Sequence, residues 1–428
     1  MVWKILKFIF MLPLFGLVAI IATSCTQLGL NYASLETANK PVAAPPFVSR
    51  SLDDWQSLEA PTLKTKFEDL IYGPVPVGVA SRIVSSRVVN DRYLGGRGVL
   101  EEYVIELGEA DEMVRFHLAL ATPKVPLGPA PLIIGQTFCD NMGVFEEATI
   151  SMPLKGRSCG MSENRSMLGS AFMFIFGEYI NKAPVADYLE RGYAYANFFA
   201  AELVPDHPQA GRTALEKFPK GADGRRPSGA VAAWASGYFA AIDLLENDPR
   251  LDASKIAVLG HSRHGKSALV AGAWDTRISA VISHQSGTLG ASLSRDKPGE
   301  TVKHILEGHS FGDGYPHWFT PDFARFADNV DALPVDQHML IALIAPRRVL
   351  LGNGRRDVWS DPNGAYRAAQ GASPTWQLYG QEGLAQNGMK AFNAQAGIAF
   401  HLRPGGHGIV RSDVDAFLAF LEAGFEEE

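Results

Sequence analysis

The sequence predicts a three-layer α/β sandwich, with a mostly parallel central sheet preceded by antiparallel strands, and three patterns in it carry that prediction. First, EEYVIELG and VRFHLALATP alternate apolar and polar residues, as an antiparallel pair with one face buried does. Second, PLIIGQTF, YAYANFFA, KIAVLG, ISAVISHQSG and RRVLLGNG are short, nearly continuous apolar runs, as expected of strands buried on both faces. Third, helical patterns lie between and after these runs: SGAVAAWASGYFAAIDLLEND, GKSALVAGAWD and SDVDAFLAFLEAGFEE. Strands alternating with helices require a largely parallel sheet covered on both sides, and catalytic residues then belong in loops at the carboxyl ends of its strands.

Composition fits that body and narrows its partners. Of the 428 residues, 46% are hydrophobic and 20% charged, enough to bury a large core. The formal charge is −7, and no basic run is long enough to follow a phosphate backbone, so nucleic acid is excluded as a partner class. The chain reads as three parts: a signal peptide over 1–24, a tether over 25–48 and one catalytic domain over 49–428. Lys4 and Lys7 precede an apolar run over 8–22 that ends in Ala22-Thr23-Ser24-Cys25. This is a secretory signal, and its Cys25 resembles a bacterial lipobox cysteine, lipidated to become the mature N-terminus. The run contains Pro13 and falls short of the ~20 residues that span a bilayer. The protein is therefore expected to be exported and held at the bacterial envelope only through the lipid on Cys25, as a monomer. Outer membrane and periplasm both stay open, with Thr26 after the cysteine favouring the outer membrane by resemblance to bacterial sorting rules. The polar, Pro/Ala-rich tether leads to the folded body. Only Cys139 and Cys159 then remain, and spacing leaves open whether they pair or stand as two buried thiols.

The most informative segment is KIAVLGHSRHGKSALVAGAWD. An apolar strand over 256–259 runs into Gly260-His261-Ser262-Arg263-His264-Gly265, and a helical pattern follows at once. That is the context of a nucleophile elbow, in which a serine sits on a strained strand-to-helix turn of the α/β-hydrolase fold. The G-x-S-x-G pattern is imperfect, because His264 occupies the second glycine position and Gly265 follows one later. The plainer alternative is a serine N-cap after a glycine turn.

Several segments together resemble one family. GHSRHGK resembles the elbow of glucuronoyl esterases, carbohydrate esterase family 15, and AAWASGYFAAIDLLENDPRLDASKIAVLGHSR the helix-to-elbow run of its bacterial members. SHQSGTLGASLSRDKPGETV, PHWFTPDF, LPVDQHMLIALIAPRRVLL, DVWSDPNG and RPGGHG follow in the family's order. The likeness is strong over 185–425 and weak in the N-terminal third. It implies Ser262 as nucleophile and Arg263, through its backbone N–H and guanidinium, as donor to the oxyanion. It also implies Lys266, Glu300 and Trp359 as contacts to a glucuronate ring. Fungal members bond a cysteine before the nucleophile to one beside the catalytic histidine. Here those places hold His261 and Gly406, so that staple is absent, as in bacterial relatives.

In this fold the triad runs Ser, then Asp or Glu, then His. His407, in the loop RPGGHG before the last helical pattern, suits the general base, whereas His401 sits in the preceding strand and reads as structural. Asp357, after RRVLLGNG, holds the place of the acid that orients the imidazole. Some family members carry a Glu at the position of Gln285 instead. A neutral amide cannot supply the charge, so the work falls on Asp357. Asp361 reads as a turn residue ahead of Pro362. No metal site is expected: there is no H-E-x-x-H and no Cys/His ligand spacing, and His304 and His309 do not share a helix face. His317, Trp318 and His338 suit packing or pocket shape. No cofactor is expected.

The resemblance implies hydrolysis of esters joining (4-O-methyl)glucuronate to alcohols, as in glucuronoxylan–lignin cross-links, through a covalent acyl-enzyme. A second reading is an acetyl-xylan or other carbohydrate esterase with the same triad. A third is a non-catalytic glycan-binding surface lipoprotein, against which stands the presence of Ser262, Asp357 and His407 together.

Overall fold

The computed structural model describes residues 51–125, 128–161, 177–296, 299–309 and 312–425. The signal segment, Cys25 and the tether lie outside the described residues. Nine strands form one sheet: β1 (Ser81–Arg92), β2 (Gly98–Glu109), β3 (Glu112–Pro123), β4 (Ala130–Thr137), β5 (Ala194–Phe199), β6 (Leu251–His261), β7 (Ala280–His284), β8 (Arg348–Gly354) and β9 (Ile398–Arg403). They lie in the order β1-β2-β3-β5-β4-β6-β7-β8-β9. The pairs along β1, β2, β3 and β5 are antiparallel, and every pair from β5 to β9 is parallel. The antiparallel start and the parallel remainder are those the sequence predicts.

Side-chain alternation along the parallel strands builds the three layers. Leu132 and Ile134 of β4, Ile256 and Val258 of β6, Val281 of β7, and Val349 and Leu351 of β8 face one core. That core also takes helices α1 (Ala230–Leu245), α2 (Arg263–Trp274) and α3 (Pro362–Leu378). Ile133, Ala257, Leu259, Ala280, Ile282 and Leu350 face the other, against Val414, Phe417, Leu418 and Leu421 of α4 (Arg411–Phe425).

Three elements escape the apolar patterns. A helical segment over 52–72 includes two π-type stretches, Trp55–Glu59 and Glu68–Tyr72, where the 3.6-residue period fails. Strand β1 is an edge strand, exposed along most of its length, and its sequence carries no buried-strand signal. Helix α3 contains Pro374, a residue that argues against a helix interior in any pattern reading.

Cys139 and Cys159 do pair, closing a 20-residue separation just after β4. Restricting the unfolded chain over a loop of this size is worth about 3 kcal/mol. Replacing both cysteines by alanine is expected to lower the melting temperature by roughly 3 to 5 °C, measured by calorimetry, for a body of this size. An unchanged melting temperature would show that the loop is held without the bond.

Candidate active site

Four parallel strands end side by side: β6 at His261, β7 at His284, β8 at Gly354 and β9 at Arg403. The residues that follow them include Ser262, Gln285, Asp357 and His407. Positions more than a hundred residues apart thereby meet at one edge of the sheet, as the rule for open α/β sheets requires.

Ser262 holds φ +56° and ψ −124° between β6 and α2. Such a conformation costs a non-glycine residue about 1–3 kcal/mol and persists only where its surroundings impose it. The Ser262 N–H donates to the His284 carbonyl at 2.8 Å, tying the turn to the neighbouring strand. A Cβ at Gly260 would stand 2.1 Å from the His264 carbonyl oxygen, and one at Gly265 would stand 2.8 Å from Ser286 Cβ. Crowding is thus relieved at positions 260 and 265. His264, where the usual pattern has glycine, packs its buried ring on Phe138 at 4.5 Å and Trp234 at 5.6 Å. The departure from G-x-S-x-G is explained by that aromatic slot.

His407 Nδ1 and Asp357 Oδ2 are 2.7 Å apart. With Asp357 ionised, Nδ1 carries the proton and Nε2 keeps its lone pair, the form a general base needs. Asp357 is buried, and its Oδ1 accepts from the Ser360 N–H at 3.2 Å. Burial works to raise the Asp357 pKa, but the attraction of His407 and the hydrogen bonds from His407 and Ser360 outweigh it and hold the carboxyl below its ordinary value. The stability this confers is complete above the ordinary carboxylate range and is lost as pH falls through the depressed value. Ser360 Oγ lies 3.2 Å from Nδ1 on the same side. The His407 ring packs on that of His261, centroids 4.6 Å apart, one residue before Ser262. Among the described residues Ser262 Oγ makes no hydrogen bond.

His261 is itself fixed from behind. Its Nδ1 lies 2.8 Å from Nδ1 of the buried His284, so one ring donates to the other. Burial, and then the rings of His407 and His284, hold the His261 pKa well below the ordinary histidine value. It presents a neutral ring to His407.

Arg263 opens α2, where the first backbone N–H groups have no partner within the helix and form the positive end of its dipole. Its guanidinium bonds to Asp206 and lies over the rings of Tyr315 and Trp318, both at 4.9 Å, and of Phe138 at 5.4 Å. Asp206 also accepts from Trp318 Nε1 at 2.7 Å and lies 3.1 Å from His317 Nε2. Burial, then Arg212 and Arg263, push the His317 pKa down to about 3, so it meets Asp206 as a neutral ring. The sequence suits His317 and Trp318 to packing or pocket shape, whereas no local pattern marks Asp206, which holds Arg263 across 57 positions.

The three expected sugar contacts are placed differently from one another. Lys266 is only 2% exposed and donates to the carbonyls of Ser286, at 2.6 Å, and Thr288. Glu300 Oε1 accepts from Trp359 Nε1 at 3.0 Å, and Trp359 is 40% exposed. His304, read only against metal binding in the sequence, stacks under Trp359 with centroids 5.4 Å apart. Trp359 thus stands as an aromatic platform backed by one ring and oriented by one carboxylate. Asp361 caps α3, its Oδ1 accepting from Gly364 N at 2.9 Å. Among the described residues, no three His, Cys, Asp or Glu side chains come together as metal ligands.

The chain is similar to known proteins. A family model for fungal glucuronyl esterases matches residues 176–380. A carbohydrate esterase, MZ0003, from an unknown prokaryotic organism is 33% identical over 384 residues, covering 87% of this chain and 85% of that protein. The 4-O-methyl-glucuronoyl methylesterase of Hypocrea jecorina is 35% identical over 163 residues, a match spanning 34% of its own length. Among solved structures, a promiscuous CE15 esterase from a marine bacterial metagenome superposes with a TM-score of 0.75 at 30% identity, covering 90% of this chain and 98% of that one. The glucuronoyl esterase from Solibacter usitatus gives 0.74 at 26% identity over 90% and 99% of the two chains. A strained serine at the carboxyl edge of a nine-stranded α/β sheet, together with near full-length likeness to these esterases, leads to one conclusion: the chain belongs to the glucuronoyl esterase family, carbohydrate esterase family 15, and is a carboxylic ester hydrolase of the α/β-hydrolase fold.

Proposed function

We propose that this enzyme hydrolyses esters of (4-O-methyl)glucuronate, as in xylan–lignin cross-links, with Ser262 as nucleophile, His407 as general base and Asp357 as the acid that orients it. The observation that carries this reading is the Asp357–His407 pair, 2.7 Å apart, packed through His261 against the elbow of Ser262. His407 Nε2 takes the hydroxyl proton as Oγ attacks the ester carbonyl, and the new oxyanion forms beside the Arg263 N–H at the start of α2. His407 then protonates the leaving alcohol, and water, activated by the same ring, cleaves the glucuronoyl-enzyme. The guanidinium of Arg263, fixed by Asp206, keeps a positive charge near the developing oxyanion. Trp359 and Glu300 offer an aromatic face and an acceptor to the sugar ring, and Lys266 adds a buried ammonium close by.

Benzyl glucuronate, an aryl acetate and their hydrolysis by Ser262→Ala test this. The expected result is turnover of benzyl glucuronate that vanishes in the variant. Turnover of the acetate alone would replace the glucuronoyl reading with that of a general carbohydrate esterase, which the promiscuity of the marine relative makes the pertinent rival. We also propose that the protein is exported and lipid-anchored through Cys25. The Cys139–Cys159 disulfide supports export, because such bonds persist in oxidising compartments.

A further inference from the structure

Gln285 is the first residue past β7 and holds φ +47°, in the left-handed region that a non-glycine residue adopts only under constraint. Its own N–H donates to the Gly352 carbonyl of β8 at 2.8 Å, and its carbonyl accepts from Ser360 Oγ at 3.2 Å. The side chain is buried and reaches the loop after β9. There Nε2 donates to the Gly406 carbonyl at 2.9 Å, and Oε1 accepts from the Gly408 N–H at 2.7 Å. One amide therefore bonds the residues on both sides of His407. The pairing needs a donor and an acceptor on the same planar group, which an amide has and a carboxylate lacks.

A second brace meets the same loop from beyond. Arg403 donates to the Gly406 carbonyl at 3.1 Å and the Gly408 carbonyl at 2.6 Å. Its Nε is held by the buried Asp413 at 2.6 Å. Asp413 Oδ1 lies 3.1 Å from His284 Nε2, behind the ring that fixes His261. The glycines on both sides of His407 carry no side chains, so Gln285 and Arg403 hold the backbone there.

We propose that Gln285 is a positioning residue of the esterase, whose amide sets where the His407 ring stands between Asp357 and Ser262. This rests on the reading of His407 as the general base. A carboxylate at 285 is not required for the acid, since Asp357 supplies it. The amide holds the loop instead. Reactions limited by such alignment lose on the order of a hundredfold when a catalytic group shifts by an ångström.

The test compares benzyl glucuronate hydrolysis by the full-length wild type, His407→Ala, Gln285→Ala and Gln285→Glu. Gln285→Ala is expected to lower kcat about 30- to 300-fold with KM within threefold. In Gln285→Glu, a protonated carboxyl can still donate to the Gly406 carbonyl, but an ionised one faces it acceptor to acceptor. The ratio of this variant's kcat to that of the wild type should therefore fall as pH rises through titration of the new carboxyl, with Arg403, Asp413 and Asp357 the charged groups, and His407, His261 and His284 the titratable rings, around the loop. A purely structural role would lower the melting temperature without giving the ratio this pH dependence. A Gln285→Ala kcat within threefold of wild type, or a Gln285→Glu ratio that is flat or rises with pH, would overturn the proposal. Should Gln285→Ala fail to fold, the Gln285→Glu ratio decides alone. Activity retained by His407→Ala would instead overturn the assignment of the base.

Discussion

Ser262→Ala is expected to lower kcat for glucuronate esters by about five to six orders of magnitude while leaving the fold intact, as loss of a serine nucleophile does in a triad. The fold should survive because Ser262 makes no side-chain hydrogen bond among the described residues and its strain lies in the backbone, which alanine shares. Residual turnover would come from the Arg263 N–H at the start of α2 and from binding, which need no nucleophile. Circular dichroism and thermal melting separate this from unfolding: the melting temperature should stay within a degree or two. A variant that keeps more than a hundredth of wild-type kcat would mean that another group attacks the ester.

Asp357→Asn comes next in size, with an expected loss of about 10⁴ in kcat and little change in KM. The geometry leaves asparagine no good orientation. If its NH₂ faces His407 Nδ1, that nitrogen must accept, the proton moves to Nε2, and the ring cannot take a proton from Ser262. If its oxygen faces Nδ1, the NH₂ meets the Ser360 N–H now bonded to Oδ1 at 3.2 Å, donor against donor. Because the native carboxyl is held below its ordinary pKa, Asp357 stays ionised throughout the pH range of a histidine base, and the loss should persist across the profile. A loss smaller than tenfold would place the acid elsewhere.

Much of this was legible in the sequence because it is local. The strand–glycine–serine–helix transition at Ser262 is written in consecutive residues, and the parallel strands announce themselves as apolar runs. The loops bearing Asp357 and His407 each follow such a strand, so topology alone brings them together. What stayed hidden depends on contacts between distant segments or on residues that look wrong in isolation. Gln285 reads as a lost acid, yet its amide spans the loop of His407. Asp206 has no motif, yet it holds Arg263. His304 sits in a short helix with no ligand spacing, yet it backs Trp359. Strand β1 lies on an exposed edge with little apolar signal, and Pro374 masks α3, so periodicity could not find either.

The most direct measurement is the site of covalent capture. Incubating the enzyme with an alkyl fluorophosphonate, digesting it and mapping the modified peptide by mass spectrometry should place one adduct on Ser262, with labelling abolished in Ser262→Ala and slowed in both Asp357→Asn and His407→Ala. An active enzyme that takes no label, or takes it on another residue while ester hydrolysis stops, would contradict the account at its centre.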